Sequence, residues 1–286
     1  MINDIKRKMD KYGVPAVSLS TCTHENVYSL TIGAPEHQLF HACSISKMMT
    51  ALLVVKLEQF GELDLDVHVV EGCTLRHLLV HQTGIQDIPG LDSSMPFSGQ
   101  SLQHTESRTF VYADSNYCLI QQYLENRFRR PFWQLVESYI FDEYEMSSSR
   151  YPIRQDSDLV YGTFVDGERG QVQLPDPSFH AAEGLWTTAA DLGQMTAQLM
   201  DRDEELFIQM CTPLPSAPWA GLGIFIEGDV VNSLGWGETF QGMVVLDRKT
   251  KVSAIVLTNH NSGRHQREGF IGDVVDYLLK RRGDLC

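Results

Sequence analysis

Apolar residues recur along this chain with two periods, and the switch between them marks out its elements. The opening residues, Met1–Asp10, place Ile2, Ile5 and Met9 among charges at helical spacing, which predicts an amphipathic helix. Two strand-like runs follow, Val14–Ser20 and Asn26–Ile32, separated by turn residues. After Lys47 the chain is strongly apolar, with Met48, Leu52, Val55 and Leu57, which predicts a core helix closed at Gly61. Leu75–Val80 reads as a short helix, and Asn116–Phe128 and Phe132–Phe141 read as amphipathic ones. Between them Ile88–Ser107 is rich in Gly, Pro and Ser and reads as an irregular surface loop. A further helix spans Ala189–Met200, capped by Thr188 with Asp191 at its third position. Leu222–Ile226, Val230–Leu234, Met243–Asp247 and Val252–Leu257 read as antiparallel strands, the last two joined by a turn at Asp247–Thr250. A final helix runs from about Gln266 to Arg281. Strands at both ends with helices between predict one α+β domain over residues 1–286. Its antiparallel sheet comes from the N- and C-terminal segments (about 1–73 and 183–286) flanked by helices, with a mostly helical insertion over about 74–182.

Composition narrows the function without naming it. The 286 residues are 43% hydrophobic and 21% charged, an ordinary globular balance. A formal charge of −14 argues against nucleic acid or an anionic membrane as a partner. No stretch approaches the ~18 continuous apolar residues of a membrane span. Six scattered cysteines without C-x-x-C spacing, and an opening without a signal-peptide pattern, lead to the expectation of a cytoplasmic protein with reduced thiols. Nothing in the pattern sets an oligomeric state.

Candidate chemistry begins at Ser44-Ile45-Ser46-Lys47. Residues three apart share a helix face, so the Lys47 amine reaches the Ser44 hydroxyl. First-turn N–H groups and the helix dipole favour a developing alkoxide there. Taken alone, the pair is equally an N-cap serine and a solvated lysine. His77 and His81 have metal-ligand spacing, but Leu78 stands where a zinc protease needs glutamate, so no metal is expected. Cys43 is expected to point into the core rather than act as a thiol nucleophile. Glu183 reads equally as a partner for a cationic substrate group and as a solvated loop charge.

Taken in order, the motifs resemble those of the penicillin-recognising serine hydrolases, in the class C β-lactamase-like branch that includes D-peptidases and serine esterases. The matching stretches are Ser44–Lys47, Gly61–Asp66, Leu75–Ile85, Phe110–Tyr117, Ala182–Leu192 and the strand ending Val256–Asn259. The resemblance spans about Val14 to Leu278 and implies a serine β-lactamase-like fold. It also implies an acyl-enzyme on Ser44, with Lys47 easing deprotonation and Tyr112 as general base and then acid. A tyrosine of ordinary pKa ~10 serves as a base only where cations hold its phenolate, and Lys47 is the candidate. The implied oxyanion hole is the backbone N–H of Ser44 and Thr239. No cofactor is implied.

Two departures shape the expected substrate. The tyrosine motif usually carries Asn two residues on, where this chain has Asp114. An ionised Asp accepts but does not donate, and it is expected to pair with Lys47 and keep it protonated. An alignment through Ser115-Asn116 would put the tyrosine out of place. The third motif usually presents Lys or His, where this chain has Trp236 followed by Gly237 and Glu238. Trp236 is expected to wall an apolar acyl or alcohol pocket, and Glu238 to crowd the cleft. Asp114, Trp236, Gly237 and Glu238 are thus the expected substrate contacts. The expected activity is a serine esterase or acyltransferase acting on a small ester or acyl substrate. A β-lactamase or D-amino-acid peptidase is the alternative, and a catalytically inactive binding protein of this fold is the alternative from another class.

Overall fold

The computed structural model describes residues 1–23, 26–70, 72–87, 92–97, 103–104 and 109–280. Its helices are α1 (Ile2–Tyr12), α2 (Ser46–Gln59), α3 (Leu75–Leu79), α4 (Asp114–Phe128), α5 (Phe132–Val136), α6 (His180–Glu183), α7 (Ala189–Asp201), α8 (Glu204–Met210) and α9 (Phe270–Lys280). Six strands form one antiparallel sheet to which both ends of the chain contribute. Their spatial order is Val27–Ile32, Val17–Cys22, Val252–Thr258, Gln241–Asp247, Val230–Trp236 and Phe225–Glu227. Val17 pairs with Ile32 on one side and Thr258 on the other, so the N-terminal hairpin is stitched to the last strand.

Strand alternation divides the interior in two. Val17, Leu19, Met243, Val245, Ala254 and Val256 face α1 and α9, whose Ile5, Phe270 and Val274 complete a smaller core. Val244, Leu246, Ile255 and Leu257 face the other way, into a larger core shared with α2, α4, α5 and α7. Because both sheet faces are covered, the central strands read as continuous apolar runs. Within the larger core α2 is buried on every side from Ser46 to Leu57. A helix apolar all round fits only where partners surround it, and α2 is the fixed post on which the site is built.

Some boundaries differ from the sequence expectation, each for a local reason. The strand expected at Leu222–Ile226 starts at Phe225, because Gly223 adopts a φ of +69 and passes tightly over α2. A Cβ there would sit 2.6 Å from the Lys47 carbonyl oxygen. The helix expected over Phe132–Phe141 is α only to Val136 and then widens, with Asp142 N–H donating five residues back to Glu137. The last helix is interrupted at Gly269, in extended backbone, so Gln266–Glu268 forms a separate turn before α9. Of the Ile88–Ser107 loop, residues 88–91, 98–102 and 105–107 lie outside the described residues, as do residues 281–286. The described part pairs Gln103–His104 with Ile85–Gln86.

Candidate active site

Ser44 lies in a single 3₁₀ turn, Cys43–Ile45, immediately before α2. Its N–H is among those that a helix start leaves without an intrahelical acceptor. Cys43, just before it, has a φ of +49, an uncommon conformation for a side chain with a Cβ. That backbone setting turns the Cys43 thiol inward, 1% exposed, among Leu39, Leu159, Val172, Trp186 and Phe240. Burial pushes the thiol well above its ordinary range. It lies 3.5 Å from His41 Nδ1, and His41 Nε2–H donates to the Glu183 carbonyl. Burial lowers His41 to about 4, so the ring is neutral at physiological pH.

One turn further on, the Lys47 ammonium is 2% exposed and fully engaged. It donates to Ser44 Oγ at 3.0 Å and to the Ala182 carbonyl at 3.0 Å, and it pairs with Asp114 Oδ1 at 2.6 Å. It also sits 5.0 Å from the centre of the Tyr112 ring. Burial by itself would push the lysine toward its neutral form. The Asp114 carboxylate and Tyr112 more than offset this, and Lys47 is held above its ordinary range. Asp114 shows the reverse balance: burial would raise it, but Lys47 holds it below the usual carboxylate range. A protonated lysine that donates to Ser44 Oγ cannot accept the serine proton. Its part is electrostatic.

Tyr112 is 42% exposed and lines one cavity together with Ser44 and Lys47. Its ring lies against His81, centroids 4.4 Å apart, and is stacked at 6.3 Å on Phe225. His81 is buried, and burial followed by the nearby Lys47 charge lowers it to about 3. As a neutral acceptor it takes the Ala113 N–H at Nδ1, while its carbonyl takes the Val111 N–H. The histidine noticed for its spacing therefore holds the backbone on both sides of Tyr112. His77 turns back instead to cap α3 through Thr74. Asn116 is fully buried against Thr83 and His81, out of reach of a substrate. Asp114 is thus the polar side chain that α4 turns toward Lys47.

Asp87 is a contributor the sequence reading missed. Its carboxylate accepts from the backbone N–H groups of Asp114 and Ser115 and from the Ser115 hydroxyl, capping α4 from 27 residues upstream. Only the fold brings the two segments together.

The hairpin turn after Trp236 closes the other side, with Gly237 N–H donating to Phe240 O. Thr239 is 9% exposed, and its carbonyl accepts from Thr163 N–H. Its own N–H has no backbone acceptor among the described residues. Gly237, Glu238, Thr239 and Phe240 line a cleft of about 800 Å³, and Glu183, His41 and Asp92 face it from across. Trp236 lines neither cavity and is 44% exposed. Its neighbours face the Ser44 turn: a Cβ on Gly235 would meet the Ala42 carbonyl at 2.4 Å, and one on Gly237 would meet Cys43 Sγ at 2.9 Å. Alternation along the strand sends the Trp236 indole away from that contact. The expected indole wall is replaced by the backbone of the turn.

With this geometry in place, the comparisons decide the family. The sequence profile of the beta-lactamase family matches residues 1–274. The chain belongs to the beta-lactamase family. Among solved structures it is similar to an octameric penicillin-binding protein homologue from Pyrococcus abyssi, with a TM-score of 0.78 and 21% identity over 97% of this chain and 76% of that one. It is also similar to a class C beta-lactamase solved in complex with cefoxitin, with a TM-score of 0.82 and 16% identity over 98% and 97% of the two chains. Comparison with curated proteins returns no match. At these identities the structures speak for the fold, which is the serine-hydrolase fold of this family. Among the described residues no helix is long and apolar enough to cross a membrane.

Proposed function

We propose that this member of the beta-lactamase family is a serine esterase or acyltransferase that forms an acyl-enzyme on Ser44 with a small ester or activated acyl substrate. The observation that carries the reading is the buried Lys47, donating to Ser44 Oγ at 3.0 Å while paired with Asp114 at 2.6 Å. In this mechanism the substrate carbonyl lies against the N–H groups of Ser44 and Thr239. The bond from Ser44 Oγ to the carbonyl carbon forms as the Oγ proton passes to the phenolate oxygen of Tyr112, which enters the step deprotonated beside Lys47. The tetrahedral oxyanion is held by the two N–H groups. Tyr112 returns the proton to the departing alcohol oxygen as the ester bond breaks. Water, or a second alcohol or amine, then repeats the sequence on the acyl-enzyme. Lys47 keeps its proton throughout and stabilises negative charge on Ser44 Oγ and on Tyr112. The buried thiols of Cys22, Cys43, Cys118 and Cys211, free among the described residues, suit a reducing, cytoplasmic setting for this activity.

Ser44→Ala tests the proposal. Hydrolysis of short-chain aryl esters is expected to fall by at least about 10³-fold, and unchanged hydrolysis would remove the reading. The beta-lactamase or D-peptidase alternative draws support from the two solved relatives. Against it stand Trp236, where a substrate carboxylate would need a cation, and the carboxylates of Glu183 and Glu238 lining the cleft. Stoichiometric labelling of Ser44 by a fluorescent penicillin would favour that alternative.

A further inference from the structure

Glu183 sits where it would decide which acyl group enters. Three consecutive carbonyls of α6 are tied to the nucleophile side: Ala181 O accepts from Thr50 Oγ1, Ala182 O from Lys47 Nζ and Glu183 O from His41 Nε2. The backbone of Glu183 is therefore fixed to the same post as Ser44, while its side chain lines the cleft. The carboxylate is largely buried, and its hydrogen-bond partner is the neutral hydroxyl of Ser93. Lys47, the cation that acts on it, is already matched by Asp114. Among the described residues around Ser44 the charges thus set Lys47 positive against Asp114 and Glu183 negative, with no further described Lys or Arg lining either cavity. Desolvating a carboxylate without a counter-cation is unfavourable, and an incoming cation relieves it.

The two cavities assign the direction. Tyr112 lines the narrow slot of about 20 Å³, and Glu183 lines the cleft of about 800 Å³. The departing oxygen must lie at Tyr112 to receive its proton, so the acyl chain extends past Thr239 into the cleft. We infer that the acyl substrate carries a cationic amino group and that Glu183 is the residue that selects it. This inference rests on the acyl-transfer reading of Ser44.

The test compares two isosteric p-nitrophenyl esters, 4-(trimethylammonio)butanoate and the neutral 5,5-dimethylhexanoate, in the wild type and in Glu183→Gln. The wild type is expected to prefer the cationic ester by at least about tenfold in kcat/KM, and the variant to bring the ratio within about twofold of one. A wild-type ratio near one, or a ratio unchanged in the variant, overturns the inference while leaving acyl transfer intact. Calorimetric binding of 4-(trimethylammonio)butanoate to Ser44→Ala gives a second readout that needs no turnover. Binding that weakens about tenfold on adding Glu183→Gln supports the inference. Absent binding, or binding indifferent to Glu183, overturns it. Loss of ester hydrolysis in the wild type would instead strike the acyl-transfer reading.

Discussion

The two sides of Ser44 are built on opposite plans. On the Lys47 side every charge is answered: the ammonium meets Asp114, Ser44 Oγ and the Ala182 carbonyl, and is itself buried at the start of α2. On the Glu183 side a wide polar cleft carries carboxylates, and no described lysine or arginine lines it. A preorganised, desolvated charge array suits steps common to every acyl substrate, because nothing must reorganise as charge develops. An open, incompletely matched wall suits recognition, because its last partner is the ligand. In the proposed reaction the contrast separates how the bond would be broken from which molecule would be chosen.

Removing Lys47 breaks the closed side and has the largest expected effect. Lys47→Met leaves Asp114 with 27% of its side chain exposed and no partner, which should lower unfolding stability by about 3 kcal/mol in urea titrations. Ester hydrolysis should fall by about 10³-fold or more. Adding Asp114→Asn should restore at least half of the stability and none of the activity. That outcome would show that the pair's structural and chemical parts are separable.

Tyr112→Phe comes next. The ring contacts with His81 and Phe225 remain, so unfolding stability should move by less than about 0.5 kcal/mol. The rate of acyl-enzyme formation should fall by about 10²–10⁴-fold in single-turnover measurements.

The smallest effect is one of pH. Asp114 is held below its ordinary 3.8 in the folded state, so its contribution to stability is complete above that value. It is lost as pH falls through the lower folded value. Lys47 is held above its ordinary 10.5, so its contribution is complete below that value and is lost only on rising past the higher one. The pair therefore supports a stability plateau between these limits, with an acid limb beginning below about pH 4. Asp114→Asn should flatten its part of that limb in urea unfolding followed from pH 2 to pH 7.

What was legible in the sequence follows the same division. The sheet, α2 and the order of motifs are written in short-range periodicity, so Val252–Leu257, Ala189–Met200 and the Ser44–Lys47 pair are readable from spacing. The pairing of Asp114 with Lys47 followed from charge type once Tyr112 was placed. Asp87 was not legible, because capping α4 from 27 residues away depends on how two loops meet. The place of Trp236 was not legible either. Which face of a strand end meets the nucleophile turn depends on close approach at Gly235 and Gly237, which composition does not encode. His81 carried a visible spacing signal, set aside as a metal site because of Leu78, and its service to Tyr112 exists only in three dimensions.

In the proposed mechanism the matched charges around Lys47 make Ser44 a nucleophile. Intact-protein and peptide mass spectrometry after treatment with a fluorophosphonate probe tests it most directly. One adduct per chain is expected, on the peptide containing Ser44, absent from Ser44→Ala and strongly slowed in Lys47→Met. An unmodified Ser44 in the folded wild type would contradict it and leave a binding protein built on this fold.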